Sequence, residues 1–138
     1  MMNLLSNLED QLCDMHGKDY CVVLGNATSA ITLILNALNL KGKKIAIPNN
    51  VCMNVPTSIY FSGNEPKYID IIQDNFGLDP GKLIEIIHEV DVVIAVHAYG
   101  IPCKIKEIER ICKLNNVLLI EDLCVAQGAQ VDNIKIHE

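Results

Sequence analysis

Val117-Leu118-Leu119-Ile120-Glu121-Asp122 runs on through Leu123-Cys124-Val125-Ala126-Gln127-Gly128. Four apolar residues end abruptly in two carboxylates, and a small-residue segment closing on glycine follows. A continuous apolar run of this length, bounded by polar residues, predicts a strand buried on both faces of a parallel sheet. Ligands of such sheets bind beyond the carboxyl ends of the strands, which is where Glu121 and Asp122 fall. For an arbitrary acid pair the plainer reading is a solvated strand end, so the weight of this one depends on its neighbours.

Upstream, the same kind of run recurs at Tyr20-Cys21-Val22-Val23-Leu24, Lys44-Ile45-Ala46-Ile47, Lys67-Tyr68-Ile69-Asp70-Ile71 and Asp91 to His97. The acid-tipped strand is thus the fifth expected. Helical spacing fills the intervals: Leu4 to Met15, Thr28 to Leu40, Val51 to Phe61, a helix opening at Asp79-Pro80, and Lys104 to Leu114. The helix from Thr28 is apolar nearly all round and is predicted to be buried. After Pro80, which suits a first helical turn, Leu83, Ile84, Ile87 and Val90 are predicted to face inward. Ile105, Ile108, Ile111 and Cys112 share one face of the last helix. Strands alternating with helices predict an α/β fold, a three-layer arrangement with a mostly parallel sheet between flanking helices. There is no internal repeat and no linker, so residues 1–138 read as one piece of one domain.

Composition narrows the function. The chain has 138 residues, 50% of them hydrophobic, enough for a real core, which must be aliphatic because tryptophan is absent. A formal charge of −6 without a Lys/Arg cluster argues against nucleic acid or an anionic membrane as partner. Cys13, Cys21, Cys52, Cys103, Cys112 and Cys124 form no C-x-x-C pair, and no histidine stands at zinc-finger distance, so no metal site is expected. Reduced thiols in a cytoplasmic protein are the expected state. Met1-Met2-Asn3-Leu4-Leu5 is no signal peptide, and no apolar run is long enough to span a bilayer.

Gly25-Asn26-Ala27-Thr28-Ser29-Ala30 lies between an expected strand and a helix start, where free N–H groups and the helix dipole favour an anion. Thr28 and Ser29 add hydroxyl donors, although Asn26 or Thr28 as a plain helix cap explains the same residues. The turn lacks the G-K-[ST] ending of a nucleotide-phosphate loop and the three glycines of the dinucleotide fingerprint. His97, leaving the fourth strand, is either a contact for a flat ligand or a hydrogen-bonded structural residue. Cys52 at a helix start is either a thiol of lowered pKa or packing. A phosphate turn after the first strand and an acid after the fifth bracket a pocket for a small phosphorylated ligand.

These residues resemble the DegT/DnrJ/EryC1/StrS sugar aminotransferases, fold-type-I enzymes that use pyridoxal 5'-phosphate. Asn26-Ala27-Thr28-Ser29-Ala30-Ile31 is similar to the family's S-G-T-x-A-L turn, and Ile47-Pro48 with Val51-Cys52 to its P-x-x-T-[FWY] segment. Gly63-Asn64-Glu65-Pro66 through Asp70 resembles G-x-x-P-x-x-x-D, and Val96-His97-Ala98-Tyr99-Gly100-Ile101-Pro102 resembles V-H-x-x-G-x-P. Glu121-Asp122 with Gly128-Ala129 matches E-D-x-A-Q-x-x-G-A. The resemblance implies amino transfer from an amino acid such as glutamate to a keto sugar on a nucleotide, serving polysaccharide or related sugar biosynthesis. It implies that Ala27, Thr28 and Ser29 hold the cofactor phosphate, that Cys52 lies against the ring, and that Asp122 faces the pyridine nitrogen.

Four departures accompany it. Ala27 replaces a glycine, Cys52 an aromatic and Val125 a glutamine. The lysine that carries the cofactor as a Schiff base belongs to an S-F-x-x-x-K segment absent from these residues, and Lys135 stands too early and in another setting. No catalytic residue is therefore assigned. The chain is expected to be the N-terminal part of an aminotransferase large domain, inactive alone, with S-F-x-x-x-K encoded downstream of residue 138. In the family the first and fifth strands are separated by two later strands. The edge of 117–120 is therefore expected to be bare, giving a homo-oligomer, pairing with a complementing chain, or a first strand displaced onto that edge. The alternatives are a non-catalytic module docking on a complete aminotransferase and a small nucleotide-binding α/β domain.

Overall fold

The computed structural model describes residues 2–131 and 134–135. Four apolar runs pair side by side, all parallel, as β1 (Lys44–Pro48), β2 (Glu65–Ile69), β3 (Val92–Val96) and β4 (Leu118–Asp122), in the order β2-β1-β3-β4. Five helices connect and flank them: α1 (Met2–His16), α2 (Ala27–Ala37), α3 (Asn54–Phe61), α4 (Pro80–Ile86) and α5 (Ile105–Asn115). Successive strand residues point to opposite faces, so each strand feeds two cores. Ala46, Val93 and Ala95 pack with Leu83, Ile87, Ile108 and Ile111 of the α4 and α5 side. Ile45, Ile47, Val92 and Ile94 pack with Ile31, Leu35, Val55 and Ile59 of the α2 and α3 side. Each fully buried Val, Leu or Ile side chain among these contributes roughly 1.5–3 kcal/mol. The expected three layers are present.

Several elements differ from the sequence reading. Residues 20–24 are extended, but they join no ladder, so the expected first strand does not form. Tyr20 is 91% and Val22 68% exposed, and the Val23 N–H donates to the Glu9 carboxylate of α1 at 3.0 Å. A strand needs a partner as well as a pattern: Tyr20 and Cys21 line a hollow with Leu123 and Cys124, just past β4, yet the run pairs with neither edge strand, β2 or β4. For the same reason β4 is an edge strand and not one buried on both faces: Leu118 is exposed and the other four residues are half-buried. Nor does the first segment cover that edge.

Only one stripe of α2 is buried, Ile31 and Leu35, while Leu33, Ile34 and, just past the helix, Leu38 are exposed, on sides that face away from the core. In and after α4, Leu83, Ile87 and Val90 face inward as expected, but Ile84 points to solvent. The third expected strand lies two residues early, at Glu65–Ile69, with Ile71 reduced to a single bridge to Leu78. The α5 face of Ile105, Ile108, Ile111 and Cys112 is buried as expected. Beyond β4, β5 (Gln130–Val131) pairs antiparallel with β6 (Ile134–Lys135). The setting of the Lys135 side chain, read from sequence as unlike that of the cofactor lysine, lies outside what is described. Among the described residues no helix is long and apolar enough to cross a membrane.

Candidate cofactor site

The direction of α2 brings its start to the ligand edge of the sheet. Just past the helix, the Leu40 carbonyl accepts from the Asn64 amide at 2.9 Å, and Asn64 immediately precedes β2. The helix end therefore lies at the strand starts. Eleven helical residues and five strand residues both span about 16 Å, so the N-terminus of α2 reaches the strand ends. There Asn26 caps the helix, its side chain accepting from the Ser29 N–H at 2.9 Å. Among the described residues the N–H groups of Ala27 and Thr28 have no acceptor, nor have the Thr28 and Ser29 hydroxyls. Ala27 sits in ordinary helical backbone, so the residue in place of glycine imposes no strain at this turn.

Cys52 is exposed, on the segment between β1 and α3. That segment is tied down where it leaves the sheet: the Asn49 N–H donates to Ile69 O and its amide to Asp70 at 2.8 Å. Asp122 ends β4 on the same edge, half-buried. Its Oδ1 accepts the N–H of Cys124 at 3.0 Å, a side-chain turn typical of aspartate. Among the described residues no lysine, arginine or histidine pairs with it. Its charge is felt by the Cys124 thiol, which burial first and the Asp122 carboxylate next push up to about 11; Cys52 adds to the effect.

On the other face of β4, Glu121 meets His97. His97 is fully buried, and its Nε2 lies 2.9 Å from Glu121 Oε1. Its Nδ1 accepts the N–H of Cys103 at 3.1 Å. Of the two readings of His97, the structure supports the hydrogen-bonded structural one. Cys103 and Cys124 were not singled out from sequence, although a Cys two residues after an Asp is a readable turn signal.

Two hollows open nearby. One, of about 590 Å³, is lined by Thr28 and Ser29 with Leu24, Thr32, Leu33, Asn36 and Phe61. The other, of about 340 Å³, includes Cys13, Cys21, Leu123, Cys124 and Gln127. These two hollows share no residue; Thr28 and Ser29 line the first, and Cys124, beside Asp122, lines the second. The donor set fits pyridoxal 5'-phosphate in its two charged parts. Unpartnered N–H and hydroxyl donors at a helix start suit a phosphate, and an unpaired, half-buried carboxylate suits a protonated ring nitrogen. Cys52 offers a small, exposed surface in place of an aromatic one. All six cysteines are free, and no group of three or more His, Cys, Asp or Glu among the described residues suits a metal.

Known proteins share this fold. The structure of DesV from S. venezuelae superposes with a TM-score of 0.89 at 21% identity, covering 96% of this chain and 36% of that one. NtdA from Bacillus subtilis, with bound cofactor PMP, gives a TM-score of 0.86 at 29% identity, covering 94% and 30%. In sequence, the chain is 30% identical over 133 residues to the dTDP-4-amino-4,6-dideoxy-D-glucose transaminase of Escherichia coli, covering 94% of this chain and 35% of the relative. It is also 30% identical over 126 residues to the 3-oxo-glucose-6-phosphate:glutamate aminotransferase of Bacillus subtilis, covering 90% and 29%. The chain thus spans about a third of the length of the curated relatives it matches. The family model matches residues 3–137, nearly the whole chain, and by that match together with its parallel sheet the chain belongs to the DegT/DnrJ/EryC1/StrS aminotransferase family.

Proposed function

We propose that this chain forms the cofactor-cradling part of a cytoplasmic, pyridoxal-phosphate-dependent nucleotide-sugar aminotransferase. The observation that carries the reading is the unpaired, half-buried Asp122 on the same sheet edge as the unpartnered donors of α2. When bound, the cofactor supplies an electron-accepting ring for moving an amino group between an amino acid such as glutamate and a keto sugar. Asp122 holds a proton on the ring nitrogen, Thr28 and Ser29 with the start of α2 hold the phosphate, and Cys52 borders the ring. Ala27 contributes its backbone N–H. The activities for which the relatives are named, on sugar derivatives, support this substrate class.

None of the lysines in these 138 residues stands in an S-F-x-x-x-K context, so the chain alone binds the cofactor weakly and turns over no amino donor. Titration with pyridoxal phosphate, followed by absorbance, tests the reading. Asp122→Asn is expected to weaken binding about tenfold and to shift the spectrum of the bound cofactor, while Ser29→Ala costs about threefold and leaves the spectrum alone. Unchanged spectrum and affinity in Asp122→Asn would remove the assignment. Borohydride reduction and peptide mapping check the second half: labelling of one unique lysine together with turnover of an amino donor would contradict inactivity.

A further inference from the structure

Among the described residues only one neighbour, β3, holds β4 in the sheet, and the end of an edge strand frays unless something else secures it. At this end the securing group is a buried side chain. The ladder places Ala95 beside Glu121 and Val96 beside Asp122, and the His97 N–H continues it to the Asp122 carbonyl at 3.1 Å. His97 Nδ1 accepts the Cys103 N–H, so Nδ1 carries no proton and the ring is the Nε2–H tautomer. The remaining donor, Nε2–H, then faces Glu121 Oε1 at 2.9 Å. Cys103 is itself closely packed, with Gly77 so near its Cβ that a side chain at position 77 would clash. A chain of contacts therefore runs from Gly77 through Cys103 and His97 to Glu121. Neighbouring strand residues point to opposite faces, so pinning Glu121 on one face orients Asp122 on the other.

We propose that His97 is a positioning residue: locked in one tautomer by the Cys103 N–H, it clamps Glu121 and so holds the Asp122 carboxylate in place. The clamp is independent of any ligand. Its consequence for pyridoxal phosphate rests on the function proposed above.

The test reads the amide of Cys124, because its acceptor is the Asp122 side chain and its protection reports where that carboxylate sits. In the full chain, His97→Asn keeps an acceptor towards Cys103 but does not reach Glu121. Hydrogen exchange at Cys124 is expected to quicken about tenfold, with the central amides of Val93 and Ile94 still slow. His97→Gln, whose amide reaches Glu121, should restore most of the protection. Asn64→Ala, at the opposite edge of the sheet, serves as a control that destabilises the fold without touching the clamp. A long-range nitrogen–proton correlation spectrum should show His97 protonated at Nε2 alone.

Unchanged Cys124 exchange in His97→Asn, equal quickening in Asn64→Ala, or a proton on Nδ1 would each overturn the proposal. Titration with pyridoxal phosphate separates it from the functional reading. If the wild-type chain binds, His97→Asn should bind several-fold more weakly, and equal affinity would overturn the positioning role. If the wild-type chain does not bind, the functional reading fails while the exchange and tautomer measurements still decide the clamp.

Discussion

Two thiols of this chain differ more in their surroundings than in their chemistry. Cys103 is buried beside Glu121, and burial first, then that carboxylate, push its thiol up to about 12. Burial alone pushes Cys112 up to about 11. At pH 8 the reactive thiolate is then roughly one part in ten thousand for Cys103 and one in a thousand for Cys112. Cys52, exposed at the candidate site, is expected to be alkylated first by iodoacetamide. Cys124, exposed but pushed up to about 11, should lag behind it. Peptide mapping over a time course checks the order, and pyridoxal phosphate should slow the Cys52 reaction alone. Labelling of Cys103 in the folded chain ahead of Cys52 would show that the sheet end is not packed as described.

At the level of elements, the starts of β1 and β3 are joined by one carboxylate. Asp91 accepts from Lys43 Nζ at 2.9 Å and from the Lys44 N–H at 3.0 Å, and its own N–H donates to Lys44 O. The Lys43 hydrogen bond, followed by the Lys44 N–H, holds the Asp91 carboxyl below the usual range against the opposing effect of burial. A carboxyl whose folded pKa is depressed stabilises the fold above its unfolded value of about 4 and loses that contribution as pH falls through the folded value. The pair is well exposed to solvent, so screening limits Asp91→Asn to about 1 kcal/mol at pH 7. Urea denaturation should show that gap at pH 7 and its disappearance in acid below the depressed value. A gap that persisted there would place the effect in the hydrogen bonds rather than the charge.

On the scale of the whole molecule, α1 and the outer side of α2 carry exposed apolar surface. Leu4, Leu5 and Leu8 of α1, Leu33 and Ile34 of α2 with Leu38 just past it, and Val22 between the two helices are all exposed. Beside this, β4 presents one unpaired edge. Exposed strand edges and apolar patches recruit other chains. We therefore expect a second copy to pair with this one, seen as a concentration-dependent rise in sedimentation coefficient. Leu118→Lys, at an already exposed position of the edge, should lower the association while leaving the circular dichroism unchanged. A monomer at all concentrations, with slow exchange on the outer amides of β4, would contradict it.

What the residues settle on their own is local. The period of Ile105, Ile108 and Ile111, the Pro80 start of α4 and the apolar runs at 44–47, 91–97 and 117–120 specify helix or strand through side-chain spacing, and each forms with its ends moved by a residue or two. Family membership was legible too, in short motifs whose order survives even where Ala27, Cys52 and Val125 differ from the pattern. Burial was not legible, because it depends on what lies opposite. The run at 20–24 has the pattern of a strand and no ladder, α2 is apolar all round and buried on one stripe, and β4 is apolar and lies at an edge. The clamp on Glu121 belongs to the same class. Residues 77, 97, 103 and 121 meet only because the parallel register sets Ala95 beside Glu121, and a contact between distant segments is decided by the fold that closes the loop between them.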